Sequence, residues 1–204
     1  MNAKSHRAFS LIELLVSIAI IALITGLSMA AYGKFTARAQ NIRCAELVHQ
    51  TKTALEHICL KDDAWPPILQ KEASGGDGRL NAEAGAALAK AGVMLLTTRK
   101  DNPNILSGND RFGVVTPWAM DYIVHHGNSA FKSSKLPGGG TIEDHILHYA
   151  IDLDYDGITE VQHGHDGNKA LVRAQACVWS YGRDGIPNTK DDIRSWSKGQ
   201  EMIW

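Results

Sequence analysis

Charge is what the N-terminal part of this chain lacks. From Leu14 to Gly33 no residue carries one, a run of roughly 20 residues, about the length an α-helix needs to cross the hydrocarbon core of a bilayer. Cysteine is scarce as well, with three in 204 residues. That number excludes a disulfide framework. Cys44 and Cys59, if both are helical, stand about 22 Å apart along the axis, too far to bridge. Cys177 falls in a strand pattern and reads as a small core residue. The sequence has no His-Glu-x-x-His helix, no Gly-x-Ser-x-Gly elbow and no phosphate loop, and without them three common enzyme classes lose their machinery. No internal repeat is present, and the formal net charge is only −1. A nucleic-acid partner held by electrostatics is therefore not expected.

One acid stands at the edge of the uncharged run. Glu13 follows Phe9-Ser10-Leu11-Ile12 and precedes Leu14-Leu15-Val16, just inside one end of the candidate membrane span. A carboxylate at that depth costs on the order of 2.5–3.5 kcal/mol on insertion scales, which makes it a functional candidate in need of a cationic partner. The alternative is an interfacial Glu that reaches the headgroups, and the residues alone leave both readings open. Lys4 and Arg7 precede the apolar stretch, while Arg38 and Arg43 come well after it, a bias compatible with a cytoplasmic leader. A secretory signal would have a shorter apolar core ending at a small-residue cleavage site, whereas this sequence continues as a helix into polar residues. An ordinary single-span anchor is the plain alternative.

The run Arg7-Ala8-Phe9-Ser10-Leu11-Ile12-Glu13-Leu14-Leu15-Val16, followed by Ile18-Ala19-Ile20-Ile21-Ala22, resembles the N-terminus of the type IV pilin and type II secretion pseudopilin superfamily. The resemblance covers about the first 30 residues. It implies that a prepilin peptidase cuts between Ala8 and Phe9 and methylates the Phe9 amine. It also implies that Glu13 neutralises the amine of a neighbouring subunit during assembly in the membrane. Ala8 stands where that family usually has Gly. Cutting there would remove Lys4 and Arg7 and leave a net charge of −3.

The helical pattern outlasts the apolar run. Phe35, Ala39, Ile42, Ala45, Val48, Leu55 and Ile58 recur at spacings of three, four and seven and so share one stripe. Asp62-Asp63 and Pro66-Pro67 end the pattern. The expectation is one helix from Phe9 to about Leu60, approximately 75 Å long. Four segments follow: a leader at 1–8, a membrane or filament-core half-helix at 9–33, a soluble half-helix at 34–62, and a globular domain at 63–204. Gly26 and Gly33 lie seven apart and allow close helix packing or local unwinding.

Ser74-Gly75-Gly76-Asp77-Gly78 is a loop, and Asn81 can cap an Ala-rich helix whose Ala84, Leu88, Ala91 and Leu95 form a packing stripe. Turns are expected at Asn102-Pro103-Asn104 and Ser107-Gly108-Asn109-Asp110, and a flexible connection from Lys132 to Gly140. Pro117-Trp118-Ala119-Met120-Asp121-Tyr122 resembles the Pro-Trp-Gly-x-Pro-Tyr segment that leads into the pseudopilin sheet, with Ala119 and Asp121 in place of Gly and Pro. Leu147, Tyr149, Ile151 and Leu153 alternate with polar residues as one strand, and Val172, Ala174, Ala176 and Val178 as a second. One long helix followed by a small antiparallel sheet is an α+β fold.

Two acidic loops compete as metal sites. Asp152-Leu153-Asp154-Tyr155-Asp156-Gly157 copies the opening of an EF-hand loop, but His163 occupies its twelfth position, so a solvated turn is the simpler reading. In Tyr181-Gly182-Arg183-Asp184-Gly185 through Asp191-Asp192-Ile193 the spacing lets Asp184 and Asp191 face one another across a curl, although Asp-Gly and Pro-Asn are also ordinary turn formers. Together with Trp179, Ser180 and Trp196, this segment resembles the calcium loop of the major pseudopilin of type II secretion. The resemblance implies calcium held by Asp184, Asp191, a backbone carbonyl near Tyr181, and Asp192. Among the nine histidines, His145 and His148 would point to opposite faces of a strand, and His163 and His165 fall in a loop. A membrane-anchored metal-dependent hydrolase is the rival of another class.

The expected protein is a non-enzymatic pseudopilin. It would be a single-pass precursor in a bacterial inner membrane, with its C-terminal domain periplasmic. Its partners would be prepilin peptidase, membrane lipid before assembly, the inner-membrane secretion platform, and copies of itself and other pseudopilins in a filament. A type IV pilin or minor pilin of an adhesion, motility or DNA-uptake fibre is the alternative.

Overall fold

The structure is a computed structural model that describes residues 10–90 and 112–202. The leader, Ala8, Phe9, Ala91, Leu95 and the turns at 102–104 and 107–110 lie outside the described residues. Helix α1 spans Leu11–Asp62. Asp63, in the left-handed region at φ 51°, stops it, and it runs unbroken through Gly26 and Gly33. The chain divides into two compact units, one up to Ala39 and one from Gln40.

In the first unit the apolar side chains from Leu11 to Leu27 are exposed, and the few hydroxyls turn back onto the helix. Ser17 Oγ donates to the Glu13 carbonyl at 2.7 Å and Thr25 Oγ1 to the Ile21 carbonyl at 2.8 Å. Polar groups satisfied within their own helix are what a lipid environment requires. Among the described residues α1 is the one helix long and apolar enough to cross a membrane.

In the second unit α1 contributes a stripe to the core. Cys44, Leu47, Val48, Thr51, Ala54, Leu55 and Ile58 are buried, whereas Phe35 and Ile42, expected on that stripe, are 73% and 63% exposed. Val48, Leu55 and Ile58 are buried as the spacing predicts, while Cys44, Leu47, Thr51 and Ala54 rather than Phe35, Ile42 and Ala45 complete the buried face. Pro66-Pro67, past the stop at Asp63, starts a new helix instead, since Pro67 occupies the first turn of α2 (Pro67–Ala73), where a missing N–H costs nothing. Trp65 and Tyr149 tie this region to the sheet. Trp65 Nε1 donates to the Asp152 carbonyl at 2.7 Å, and Tyr149 Oη donates to the Leu69 carbonyl at 2.9 Å.

Strand β1 (Gly78–Arg79) and helix α3 (Ala82–Lys90) follow. Asn81 caps α3 as its sequence suggests, with Oδ1 accepting from the N–H groups of Glu83 and Ala84 at 3.1 and 3.0 Å. The segment expected to lead into the sheet is instead helix α4 (Pro117–His126). Ala119 and Asp121 explain the difference: they replace the Gly and Pro that would break a helix, and Pro117 pre-sets its first turn.

The strands are β2 (His148–Ile151), β3 (Thr159–Val161), β4 (Ala170–Val172), β5 (Ala176–Ser180), β6 (Ile193–Arg194) and β7 (Glu201–Met202). They form two antiparallel sheets, β1-β2-β5-β6 and β3-β4-β7, rather than one. In β2 and β5, Tyr149, Ile151, Ala176 and Val178 share a core with α1, while Ala150, Cys177 and Trp179 share a second core with Val161, Val172 and Trp196. Both faces of the central strands are therefore covered, and His148, a polar residue of the alternating strand, is fully buried. Leu153 lies beyond the strand and is 43% exposed.

The expected strand through Val172 and Val178 is in fact two. A turn in which the Ala174 N–H reaches back to the Val172 carbonyl at 2.9 Å separates β4 from β5 and sends them to different sheets. The architecture is α+β, with the long N-terminal helix packed on small antiparallel sheets.

Candidate functional site

Two places in the fold collect the residues singled out from the sequence. The first is the start of α1. Ser10 precedes the helix, and its carbonyl accepts from the N–H groups of Glu13 and Leu14 at 3.0 and 3.2 Å. The Glu13 carboxylate reaches back in turn, with Oε2 accepting from the Ser10 N–H at 2.9 Å. This is the acidic half of a capping box, in which a Glu three residues into a helix satisfies a backbone donor that has no helical partner. The Ser-x-x-Glu pattern that signals it stands in the sequence at Ser10 and Glu13. The carboxylate thus sits at the positive end of the α1 dipole.

The second place is the loop between β5 and β6. Asp191 Oδ2 accepts from the N–H groups of Arg183 and Asp184 at 2.7 and 3.2 Å, which closes the curl that the spacing suggests. Thr189, not singled out from the sequence, is the hub. Its Oγ1 lies 2.6 Å from Asp191 Oδ1, 3.2 Å from Asp192 Oδ1, 3.4 Å from Asp184 Oδ1 and 3.2 Å from the Ile186 carbonyl. A hydroxyl has one hydrogen to give, so four oxygens compete for a single proton. Three carboxylates, a hydroxyl and a carbonyl are hard-oxygen donors, a set that suits calcium in its chemistry, with the Thr189 oxygen rather than a gap at their centre.

The carboxylates differ in what else holds them. Burial pushes Asp191 up, but the Thr189 hydroxyl and the N–H groups of Arg183 and Asp184 outweigh it and keep the acid below the usual carboxylate range. Asp192 is raised by burial despite the Arg194 guanidinium, whose Nη2 lies 2.8 Å from Oδ2. Its Oδ2 also accepts from the Asn188 N–H at 2.9 Å, which leaves Oδ1 for the loop interior. The Tyr181 side chain packs in the second core, its ring centroid 4.3 Å from that of His148. Only its backbone remains for the loop.

The other acidic loop is also drawn together. Among the described residues, Asp152, Asp154 and Asp156 are the group that brings one carboxylate oxygen each to within 4.8 Å of the others. Asp152 is buried and accepts from the Gly157 and Asp156 N–H groups at 2.7 and 3.2 Å. Burial raises its carboxyl, and nearby Asp154 adds to the rise against the Gly157 bond. His163, the residue at the twelfth position, instead sets its ring against Tyr181.

Among the described residues the histidines do not assemble into a metal site. His145 closes a short turn at Glu143–His145 ahead of β2 rather than lying in the strand. Its Nδ1 lies 3.1 Å from Thr116 Oγ1, and its Nε2 lies 3.2 Å from the Gly139 carbonyl. His148 Nδ1 lies 2.6 Å from Asp77 Oδ1. His165 Nδ1 lies 2.7 Å from Glu201 Oε1. Each has a separate partner.

No curated protein and no solved structure matches this chain. Residues 3–29 match the family described as the prokaryotic N-terminal methylation motif, so the chain carries, across Ala8, Phe9 and Glu13, a signal that supports the type IV pilin-like superfamily.

Proposed function

We propose that this chain is a pseudopilin, a structural subunit trimmed between Ala8 and Phe9 by prepilin peptidase, methylated at the Phe9 amine and polymerised into a periplasmic filament that drives type II protein secretion. The observation that carries the reading is a lone carboxylate, Glu13, at the mouth of an uncharged helical run inside a methylation motif. Lipid penalises that acid, and a second subunit's Phe9 amine removes the penalty, so the pairing favours assembly over the solitary state. Before assembly the Ser10 N–H holds the carboxylate at the helix mouth. Calcium is assigned to Asp184, Asp191 and Asp192 with the backbone near Tyr181, where it would neutralise the crowded carboxylates and hold the loop closed for packing between subunits. No catalysis is assigned to the chain. The secretion branch rests on that loop's resemblance, since the N-terminal motif serves pilus and secretion systems alike.

Glu13→Val tests the pairing. The variant is expected to insert and to be trimmed normally, yet to be missing from sheared or purified filaments and to abolish export of secreted proteins in the host. Filaments at the normal yield contradict the pairing. Lost surface fibres with export intact point to the pilus alternative.

A further inference from the structure

We infer that Gly138, Gly139, Gly140 and His145 are positioning residues for the calcium loop, forming a strap that fixes the Asp184 backbone. This inference rests on the calcium reading. The connection from Lys132 to Gly140, read from sequence as flexible, is laid directly on the acidic loop. A Cβ on Gly139 would stand 2.8 Å from the Asp184 carbonyl oxygen and 3.2 Å from its Cα. One on Gly138 would stand 2.8 Å from the Arg183 carbonyl, and one on Gly140 3.1 Å from the Asp184 carbonyl and 3.2 Å from the Gly185 Cα. Backbone packs on backbone here, at separations that leave no room for a side chain.

The strap is itself anchored. Its turn is closed by the Gly139 N–H to the Leu136 carbonyl at 3.2 Å and the Leu136 N–H to the Gly140 carbonyl at 3.1 Å. His145 holds it from behind. The Gly139 carbonyl can only accept, so Nε2 carries the hydrogen, and Nδ1 lies 3.1 Å from the fully buried Thr116 hydroxyl. The same Nε2 lies 3.2 Å from where a Cβ on Gly185 would be. The ring is thereby wedged between strap and loop. Asp184 is a proposed ligand through its carboxylate while its backbone is clamped on the far side. Groups that orient ligands from behind commonly change metal affinity by about 10–100-fold when altered.

The test uses the full-length chain in detergent, with calcium titrated by calorimetry and terbium(III) as the spectroscopic probe, its luminescence decay in H2O and D2O counting coordinated waters. Wild type is expected to bind calcium. Gly139→Ala should weaken binding by about tenfold or more and add coordinated water at saturating terbium, which loss of stability alone would not do. Gly127→Ala is the control, because Gly127 also has positive φ (52°) but nothing within 4 Å of a Cβ, and its calcium affinity should equal that of wild type. Gly138→Ala needs no left-handed backbone and decides the matter if Gly139→Ala does not fold. Wild type that binds no calcium overturns both the calcium reading and the strap. Wild type that binds, with both strap variants binding equally well, overturns the strap alone.

Discussion

Glu201 shows how one side chain can organise a corner of this protein. Its Oε1 accepts three hydrogen bonds, from the His165 N–H at 2.8 Å, from His165 Nδ1 at 2.7 Å and from Trp196 Nε1 at 2.8 Å. Burial pushes the carboxyl up, but the bonds from Trp196 and His165 outweigh it and hold it below its ordinary value of 4.5. A carboxyl lowered on folding binds fewer protons in the native state, so its stabilisation is complete above pH 4.5 and is lost as pH falls through the folded value. Glu201→Gln is expected to cost about 1–3 kcal/mol at pH 7 and to flatten the fall in melting midpoint below pH 4.5. An unchanged acid limb would show that other carboxylates carry it. Glu13 and Thr189 make a related point about legibility. The Ser10-x-x-Glu13 spacing announces a capping box in one dimension. By contrast, Thr189 becomes a hub only once a loop has brought Asp184, Asp191 and Asp192 to its hydroxyl.

Elements were legible where a periodic pattern or a local cap decides the backbone. The α1 helix, its end at Asp62 and the Asn81 cap follow from spacing and capping chemistry. The face of α1 was less legible, since a long helix with scattered apolar residues offers several stripes and only the partner surface selects one. Leu55→Ala is expected to cost about 2–5 kcal/mol in urea unfolding of the full chain. Ile42→Ala should change it by less than about 0.5 kcal/mol, and equal costs would mean that the buried face is misassigned. The sheets were the least legible part. Alternation in β2 placed polar residues on one face, whereas β3 and β4 pack on that face, and His148 is buried there beside Trp179 and Tyr181. The break between β4 and β5 carries no Gly or Pro to mark it. It is made by hydrogen bonds to residues distant in sequence, including the Thr159 hydroxyl donating to the Ala174 carbonyl at 2.5 Å.

At the scale of the molecule, one helix serves two solvents. Up to Leu27 its large apolar side chains stand exposed, suited to lipid or to other helices of the same kind. From Cys44 onward it supplies the floor of an α+β core. This division makes sense for a subunit that begins in a membrane and ends in a polymer, and the first 30 residues carry nearly all of that information. The globular part contributes an acidic loop, drawn tight on its own side chains and backed by a glycine strap.

The central claim is processing between Ala8 and Phe9, and intact-mass spectrometry of the chain recovered from membranes with and without prepilin peptidase tests it most directly. With the peptidase present, the account requires a chain that begins at Phe9 and carries one added methyl group. Recovery of the full chain, uncut from Met1 to Trp204 under the same conditions, would contradict it.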